Sequence, residues 1–482
     1  MSTILTHHEM LTDLYEFSMA NGYYQALPHN VSALFDVFFR TVPDHGSFVI
    51  AAGLQQVIEE VKNFKFTKED IDYLRSLNLY SEDFLNYLAT MKMECKISAM
   101  PEGTPVFPRE PMMTVEGPLI QSQLLETLIL NILNHQSLIA TKARRITAAA
   151  EGRPVMEFGA RRAQGPDAAI YGARAAVIGG CTSTSNVMAG QLFHIPVAGT
   201  MAHAWIESFP DELTAFRAWA KIYPDMAMLL VDTYDVLDSG VPNAIKVFTE
   251  LKKAGHHNFG IRIDSGDIAA LAVKARKMLD DAGFPEATIT ASNALDETVV
   301  QSLLKQDAPI SNFGIGEKLI SSKSSPVLSG VYKLAALKNG SEWQPKIKLS
   351  NSLEKVTLPG FKQVYRLYEH GTNEAFADVI ALSDEDVADT LTVYNSNPLA
   401  SRRTVTLKNF YAKPLLEKVY DDGEGLVVDL PTDVMKIHQY SHERVGELPV
   451  WTKRLVNADQ YPVYFTPKLA KMQEKLIEEH SN

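Results

Sequence analysis

Apolar and polar positions follow different periods along this chain, and the changes of period divide it. Leu11, Leu14, Tyr15 and Met19 fall on one face of a helix predicted over 10–26, interrupted only by Ser18. SALFDVFFR at 32–40 reads as a strand, and 54–64 and 81–93 have helical spacing. Pro101, Pro105, Pro108, Pro111 and Pro118 favour extended edge segments and turns, because proline cannot donate to a sheet ladder. A long helix is expected from about 120 to 150, ending at Ala148–Ala150 before Gly152.

From 154 to 316 short apolar runs take over: PVMEFG, IPVAGT, MAMLLVD, FGIRID, ATITAS and ISNFGIG. Helical stretches at 211–222, 241–254, 268–282 and 296–305 lie between them. In 268–282, Ile268, Leu271, Ala272, Ala275 and Leu279 keep the spacing of one buried face, and Gly283 supplies a stop. Strands alternating with helices imply an α/β fold with parallel pairing through crossovers.

The unusual polar residues sit at or just past the ends of these runs: Arg161, Arg162, His203, Asp232, Arg262, Asp264, Ser292, Asn293 and Gly314 to Gly316. A parallel barrel collects its site at the carboxyl ends of many strands, whereas an open sheet concentrates ligands at one switch point. Chemistry offered after six successive strands therefore favours a β/α barrel. Beyond about 345 the pattern loosens into short strands, turns and a helix at 466–480. The expected parts are an N-terminal α+β part at 1–125, a barrel at 126–345, and a tail at 346–482 that joins the N-terminal part in a second, discontinuous α+β domain.

Composition limits the partners. The 482 residues are 46% hydrophobic and 22% charged, which gives enough apolar side chains for a sizeable core. A net charge of −12 lacks the positive field that would attract nucleic acid or an anionic membrane, although a small basic pocket can sit within it. Cys95 and Cys181 have no CxxC neighbour, which points away from disulfide or zinc frameworks and towards a reducing cytoplasm. The N-terminus shows no signal-peptide pattern, and the most apolar stretch, 168–181, is too short to span a bilayer and carries Arg174.

Five segments carry candidate chemistry. In GIRIDSGDI at 260–268, Arg262 and Asp264 share a face of one strand, and Ser265, Gly266 and Asp267 turn into a helix. Such a turn can hold phosphate, with the cation and acid beside it serving an anion and a Mg2+-bound phosphosugar; an Arg–Asp pair with an Asp helix cap explains it equally well. In LLVDTYDV at 229–236, Asp232 and Asp235 suit Mg2+ or ribose hydroxyls, and helix capping is the plainer alternative. In MEFGARRAQG at 156–165, Phe158 with Arg161 and Arg162 suits a planar ring bearing a carboxylate, or else a core aromatic beside surface arginines. His203 in VAGTMAHAW suits a nucleophilic or proton-transferring imidazole, or a structural one. Gly314 and Gly316 in NFGIGEKL allow a backbone to approach phosphate, though GxG alone is a weak fingerprint. The HHE at 7–9 is not HExxH and reads as solvated end residues.

Taken in this order, TDLYEFSMANGYY at 12–24, FGARRAQG, GTMAHAW, VDTYDV, IRIDSGDI and FGIG resemble the nicotinate phosphoribosyltransferase family over at least 12–316. The resemblance implies an irregular β/α barrel and a homodimer with sites at the subunit interface. It implies that Phe158 stacks on one side of the pyridine ring and that Tyr15 of the partner subunit covers the other. Arg262 then faces the carboxylate, Arg161 binds phosphate, and Gly314 and Gly316 lie against the 5′-phosphate. Asp232 and Asp264 position the ribose and Mg2+, and Ser292 and Asn293 join the substrate-binding set. His203 matches the family's histidine phosphorylated by ATP, the co-substrate. The implied reaction joins nicotinate to phosphoribosyl pyrophosphate, as in NAD biosynthesis.

Ser183, within GGCTSTSN, stands where the related nicotinamide enzyme carries an aspartate that would repel a carboxylate, so it favours nicotinate. Glu317 stands where a small or neutral residue is expected, and Ala204 where a serine is common. The competing readings are the nicotinamide-specific relative, a barrel enzyme acting on another phosphosugar, and a non-catalytic dimeric ligand-binding barrel.

Overall fold

In the computed structural model, which describes residues 8–350, 355–395, 403–421, 425–428 and 430–481, the candidate residues other than Tyr15 fall around one parallel sheet. Its strands are β1 (Val155–Glu157), β2 (Ser183–Thr184), β3 (Ala227–Leu230), β4 (Phe259–Ile263), β5 (Thr288–Ser292) and β6 (Asn312–Ile315). The helices between them are α1 (Pro166–Ile178), α2 (Val187–Phe193), α3 (His203–Glu207), α4 (Glu212–Ile222), α5 (Val241–Lys253), α6 (Ile268–Asp281) and α7 (Glu297–Lys305), with α8 (Glu317–Ile320) after β6. The order across the sheet is β2-β1-β6-β5-β4-β3, every pair parallel. Sequence neighbours are therefore space neighbours except β2 and β3, and β6 returns to pair with β1. The strand interiors are buried, as in Ile261, Ile263, Ile289 and Phe313, which leaves the carboxyl ends to carry polar groups.

This sheet and its helices form one compact unit, 139–326 with 433–438. The other unit comprises the described residues within 1–138, 327–432 and 439–482. It holds a seven-stranded sheet in which Ser32–Phe39 pairs antiparallel with Gly330–Lys338 on one side and Met113–Pro118, the central strand, on the other. A six-stranded sheet centred on Ala375–Leu382 and Val463–Phe465 accompanies it. Segments far apart in sequence thus share one ladder, and Phe35 stacks on Tyr332 with ring centres 4.7 Å apart. Arg366 and Asp378 form an ion pair of 2.7 Å in its interior.

Several expectations need correction. The helix expected over 10–26 is Leu14–Ala26, preceded by a short turn of helix, and its buried face is Glu16, Phe17 and Ala20. Leu11, Leu14, Tyr15 and Met19 point outward, with Leu14 57% exposed. A carboxylate can occupy the inner face because Thr12 and Thr127 each donate to Glu16 at 2.6 Å. The helix expected over 120–150 is two, Leu119–Leu124 and Glu126–Ala149. IPVAGT is not a strand: Val197 makes one isolated bridge to Thr184, and the sixth strand is the two-residue β2. Pro196, which lacks a backbone donor, limits any ladder there. The HHE segment is not simply solvated, since His8 meets Glu60 at 2.8 Å and Glu9 is buried, while His7 lies outside the described residues.

Candidate functional site

β4 ends in the alternation Ile261-Arg262-Ile263-Asp264, so its isoleucines enter the core while Arg262 and Asp264 emerge together. Arg262 is held at every nitrogen: Nε donates to Ser292 at 2.9 Å, one terminal nitrogen to Thr200 at 3.0 Å, and the other to Asp264 at 2.9 Å. Ser292, the last residue of β5, donates in turn to the same Asp264 oxygen. This fork fixes the guanidinium 5.7 Å from the centre of the Phe158 ring.

Phe158 leaves β1 directly after the buried Glu157. Its backbone N–H is anchored on Ile315 of β6 at 2.8 Å, and its ring packs on Gly314. A Cβ at Gly314 would lie 2.5 Å from the ring, and one at Gly316 would lie 2.8 Å from the Phe158 carbonyl oxygen. The two glycines are therefore demanded by Phe158 itself, whatever else approaches them. Glu157 accepts from the Gly159 N–H and, at 2.6 Å, from the Thr184 hydroxyl, tying the exits of β1 and β2 together. Burial pushes its carboxyl up against the pull of these two donors, and burial together with Glu157 pushes the Cys181 thiol up.

An open recess of about 150 Å3 is lined by Phe158, Arg161, Arg162, Arg262, Asp264, Ser292, Asn293, Ala294, Gly314, Gly316, Glu317, Lys318 and Lys323. Five cationic side chains face two acids there. Asn293 and Ala294 turn the chain out of β5 with φ of 73° and 49°, a left-handed pair that costs on the order of 1 kcal/mol at the alanine. Arg161 is exposed and has no ion pair among the described residues. Glu317 pairs with Lys323 at 2.6 Å and lies 3.9 Å from Arg162, and these cations, the Lys323 hydrogen bond foremost, hold its carboxyl below the usual range.

The neighbouring strand end supplies Asp232. One of its oxygens accepts from the Asp264 N–H at 3.0 Å and from the Ser265 hydroxyl at 2.6 Å, while Oδ1 is buried without a hydrogen-bond partner among the described residues. Asp235 is different: it caps the following turn, accepting from Leu237 and Asp238 at 2.9 and 2.7 Å, so for it the capping alternative holds. Asp267 likewise caps α6 through Ala270. His203 opens α3, with Nδ1 3.0 Å from the Thr233 hydroxyl; Nε2 has no partner among the described residues.

Of the residues singled out in the sequence, Phe158, Arg161, Arg262, Asp264, Ser292, Asn293, Gly314 and Gly316 line this one recess. Asp232 joins it through Asp264, and His203 through the Thr233 that follows Asp232. Ser183 is buried on β2 opposite Met156 and does not line the recess. Tyr15 belongs to the other unit; it is 47% exposed, and burial with nearby acids, Glu126 first, pushes its hydroxyl up to about 12. Thr200, Lys318 and Lys323 were not singled out. Thr200 lies within GTMAHAW, and the two lysines follow FGIG closely enough to have been suspected as its charged border.

A cationic recess with one aromatic wall, at the carboxyl edge of a parallel sheet, defines an α/β protein equipped for a small anionic ligand. Family models for nicotinate phosphoribosyltransferase match its N-terminal domain at 10–134, the family proper at 154–375 and the C-terminal domain at 361–473. The nicotinate phosphoribosyltransferase of Bacillus subtilis (strain 168) is 44% identical over 453 residues, covering 94% of this chain and 91% of that protein. Its human counterpart is 31% identical over 524 residues, covering 97% and 96%. The crystal structure of human nicotinic acid phosphoribosyltransferase superposes with a TM-score of 0.85 at 30% identity, over 97% of this chain and 100% of that one. The chain belongs to the nicotinate phosphoribosyltransferase family. Among the described residues no helix is long and apolar enough to cross a membrane.

Proposed function

We propose that this protein transfers the phosphoribosyl group of phosphoribosyl pyrophosphate to nicotinate, forming nicotinate mononucleotide and pyrophosphate in pyridine nucleotide biosynthesis in the cytoplasm. Family membership supports the reaction class. The observation that carries the substrate assignment is the Arg262 guanidinium, locked by three hydrogen bonds and set 5.7 Å from the Phe158 ring centre within the cationic recess. Phe158 offers a face to the pyridine ring and Arg262 a donor pair to its carboxylate. Arg161, with no ion pair among the described residues, serves phosphate. Gly314 and Gly316 accept the 5′-phosphate against bare backbone, and Ser292 and Asn293 complete the wall.

The reaction is displacement at the ribose C1 carbon. The C1–O bond to pyrophosphate breaks as C1 gains positive character, and the pyridine nitrogen, held in line, forms the new C1–N bond from the opposite face. That nitrogen carries a lone pair and needs no general base, so holding the two reactants in line is the main catalytic task. Asp232 and Asp264 are the residues that would hold Mg2+. The buried Asp232 Oδ1, unpartnered among the described residues, fits such a role, with the remaining ligands coming from substrate oxygens and water. When bound, the ion would neutralise charge on the departing pyrophosphate.

His203 would receive a phosphoryl group from ATP, with Thr233 holding Nδ1 and leaving Nε2 open. The added charge would favour a substrate-ready state. The cyclic strand order, with β6 back on β1 and a break between β2 and β3, supports an irregular barrel. The exposed Leu11, Leu14, Tyr15 and Met19 support a homodimer in which Tyr15 of the partner subunit closes the ring pocket. Calorimetric titration tests the reading. Nicotinate should bind more tightly than nicotinamide, and Arg262→Ala should remove that preference; equal affinity for both ligands in the unaltered protein would refute it. A His203→Ala protein that still hydrolysed ATP in step with product would refute the phosphohistidine.

A further inference from the structure

Glu317 is an anion placed among cations that a phosphorylated ligand would need. It lines the recess together with Arg161, Arg162, Arg262, Lys318 and Lys323. Three of the positive charges at or beside this wall are already matched. Arg262 pairs with Asp264 at 2.9 Å, Lys318 with Asp296 at 2.7 Å, and Lys323 with Glu317 at 2.6 Å. The three pairs differ in rigidity. The Arg262–Asp264 pair is largely buried, at 16% and 28% exposure, and is braced by Ser292 and Thr200. Asp296 is committed further, since it also caps α7 by accepting from Val299 at 2.9 Å. Glu317 has no such commitment: its side chain is 44% exposed, Lys323 is 60% exposed, and Arg162 stands 3.9 Å away without closing a hydrogen bond.

An exposed pair of this kind is weak and exchanges readily. A ligand phosphate carries more charge and more acceptor oxygens than one carboxylate, so it should win Lys323 and Arg162 from Glu317. We propose that Glu317 is a built-in counter-anion that holds Lys323 and Arg162 at the rim of the recess and gives them up to a phosphate of the incoming substrate. The inference rests on the phosphoribosyl-transfer reading of the same site, and it adds Lys323 and Arg162 as a phosphate subsite with Glu317 as its internal competitor. The arrangement sets substrate affinity below the maximum these cations could supply, and favours release of an anionic product.

The test measures the KM for phosphoribosyl pyrophosphate and the Kd for inorganic pyrophosphate in the full-length protein, at low and high salt. Glu317→Gln should lower both constants about two- to five-fold at low salt, the range expected for an exposed ion pair, and the gain should shrink at high salt. Lys323→Gln should raise both, and adding Glu317→Gln to it should recover much less than in the parent, because the competitor then has little left to mask. Glu286→Gln is the control: it makes the same change of net charge in a residue that does not line the recess, paired instead with Lys252 at 3.8 Å, and should leave both constants unchanged. Unchanged or weaker anion binding in Glu317→Gln, or an equal gain in Glu286→Gln, overturns the proposal. If the unaltered protein neither binds pyrophosphate nor turns over, the phosphoribosyl reading fails instead.

Discussion

The contact between Gly314 and Phe158 gives the sharpest perturbation. An alanine at 314 would put its Cβ 2.5 and 2.6 Å from two carbons of the Phe158 ring. Carbon atoms pack at about 3.5–4.0 Å, so the ring has to yield by roughly 1 Å. It cannot slide freely, because the Phe158 N–H is anchored on Ile315 and Arg262 stands on its neighbouring side, held by Ser292, Thr200 and Asp264. Overpacking a constrained site of this kind costs about 1–3 kcal/mol of stability. A displacement of about 1 Å at a substrate-positioning group costs on the order of 100-fold in rate.

Gly314→Ala should therefore lower kcat/KM for nicotinate by about two orders of magnitude while the urea midpoint falls only modestly. The assay is steady-state product formation run beside equilibrium denaturation. Because the clash is with the ring, Gly314→Ala should be nearly neutral for stability in a Phe158→Leu background, giving a coupling of about 1–3 kcal/mol in the double-mutant cycle. Full activity and an unchanged midpoint in Gly314→Ala would refute the reasoning, since the ring would then not depend on that glycine.

Further outcomes follow from the same geometry. Arg262→Lys keeps the charge but cannot make three separate hydrogen bonds in a planar fork, so kcat/KM for nicotinate should fall on the order of 100-fold with little change in fold stability, checked by the same two assays. Ser183→Asp should weaken nicotinate use relative to nicotinamide; because Ser183 is buried, it should also cost about 1–3 kcal/mol in a urea titration. For Asp296, burial raises the carboxyl, but the hydrogen bond from Lys318, the Val299 N–H and nearby cations outweigh it and hold it below the usual range. A carboxyl lowered in the folded state contributes stability above its unfolded value of about 3.9, and that contribution is lost as pH falls through the folded value. Asp296→Asn should thus be less stable by about 0.5–1 kcal/mol at pH 7, with the difference closing below about pH 4 in urea titrations.

The sequence displayed the parts of this unit that rest on local pattern. The face Ile268–Leu279 and the stop at Gly283 predicted α6 nearly to the residue, because amphipathic spacing and a left-handed glycine at φ 83° are both local. The polar residues at strand ends were likewise readable, since alternation along β4 forces Arg262 and Asp264 to one side. What escaped depends on distant partners. The inner face of Leu14–Ala26 was inverted because Glu16 is satisfied by Thr127, 111 residues away. Asp232 and Asp235 look alike in VDTYDV, yet the Asp264 N–H and Ser265 engage one while Leu237 and Asp238 cap on the other. A strand of two residues such as β2 has no period to detect. Thr200, Lys318 and Lys323 stand in or next to quoted motifs, but their partners Arg262, Asp296 and Glu317 are set by the fold.

The central claim is that this recess makes nicotinate mononucleotide, and product formation tests it most directly. Purified protein is given phosphoribosyl pyrophosphate and Mg2+, with nicotinate or nicotinamide, each with and without ATP. The account predicts nicotinate mononucleotide as the favoured product, formed faster or further with ATP. Preferential turnover of nicotinamide, or none of either ring, would contradict it.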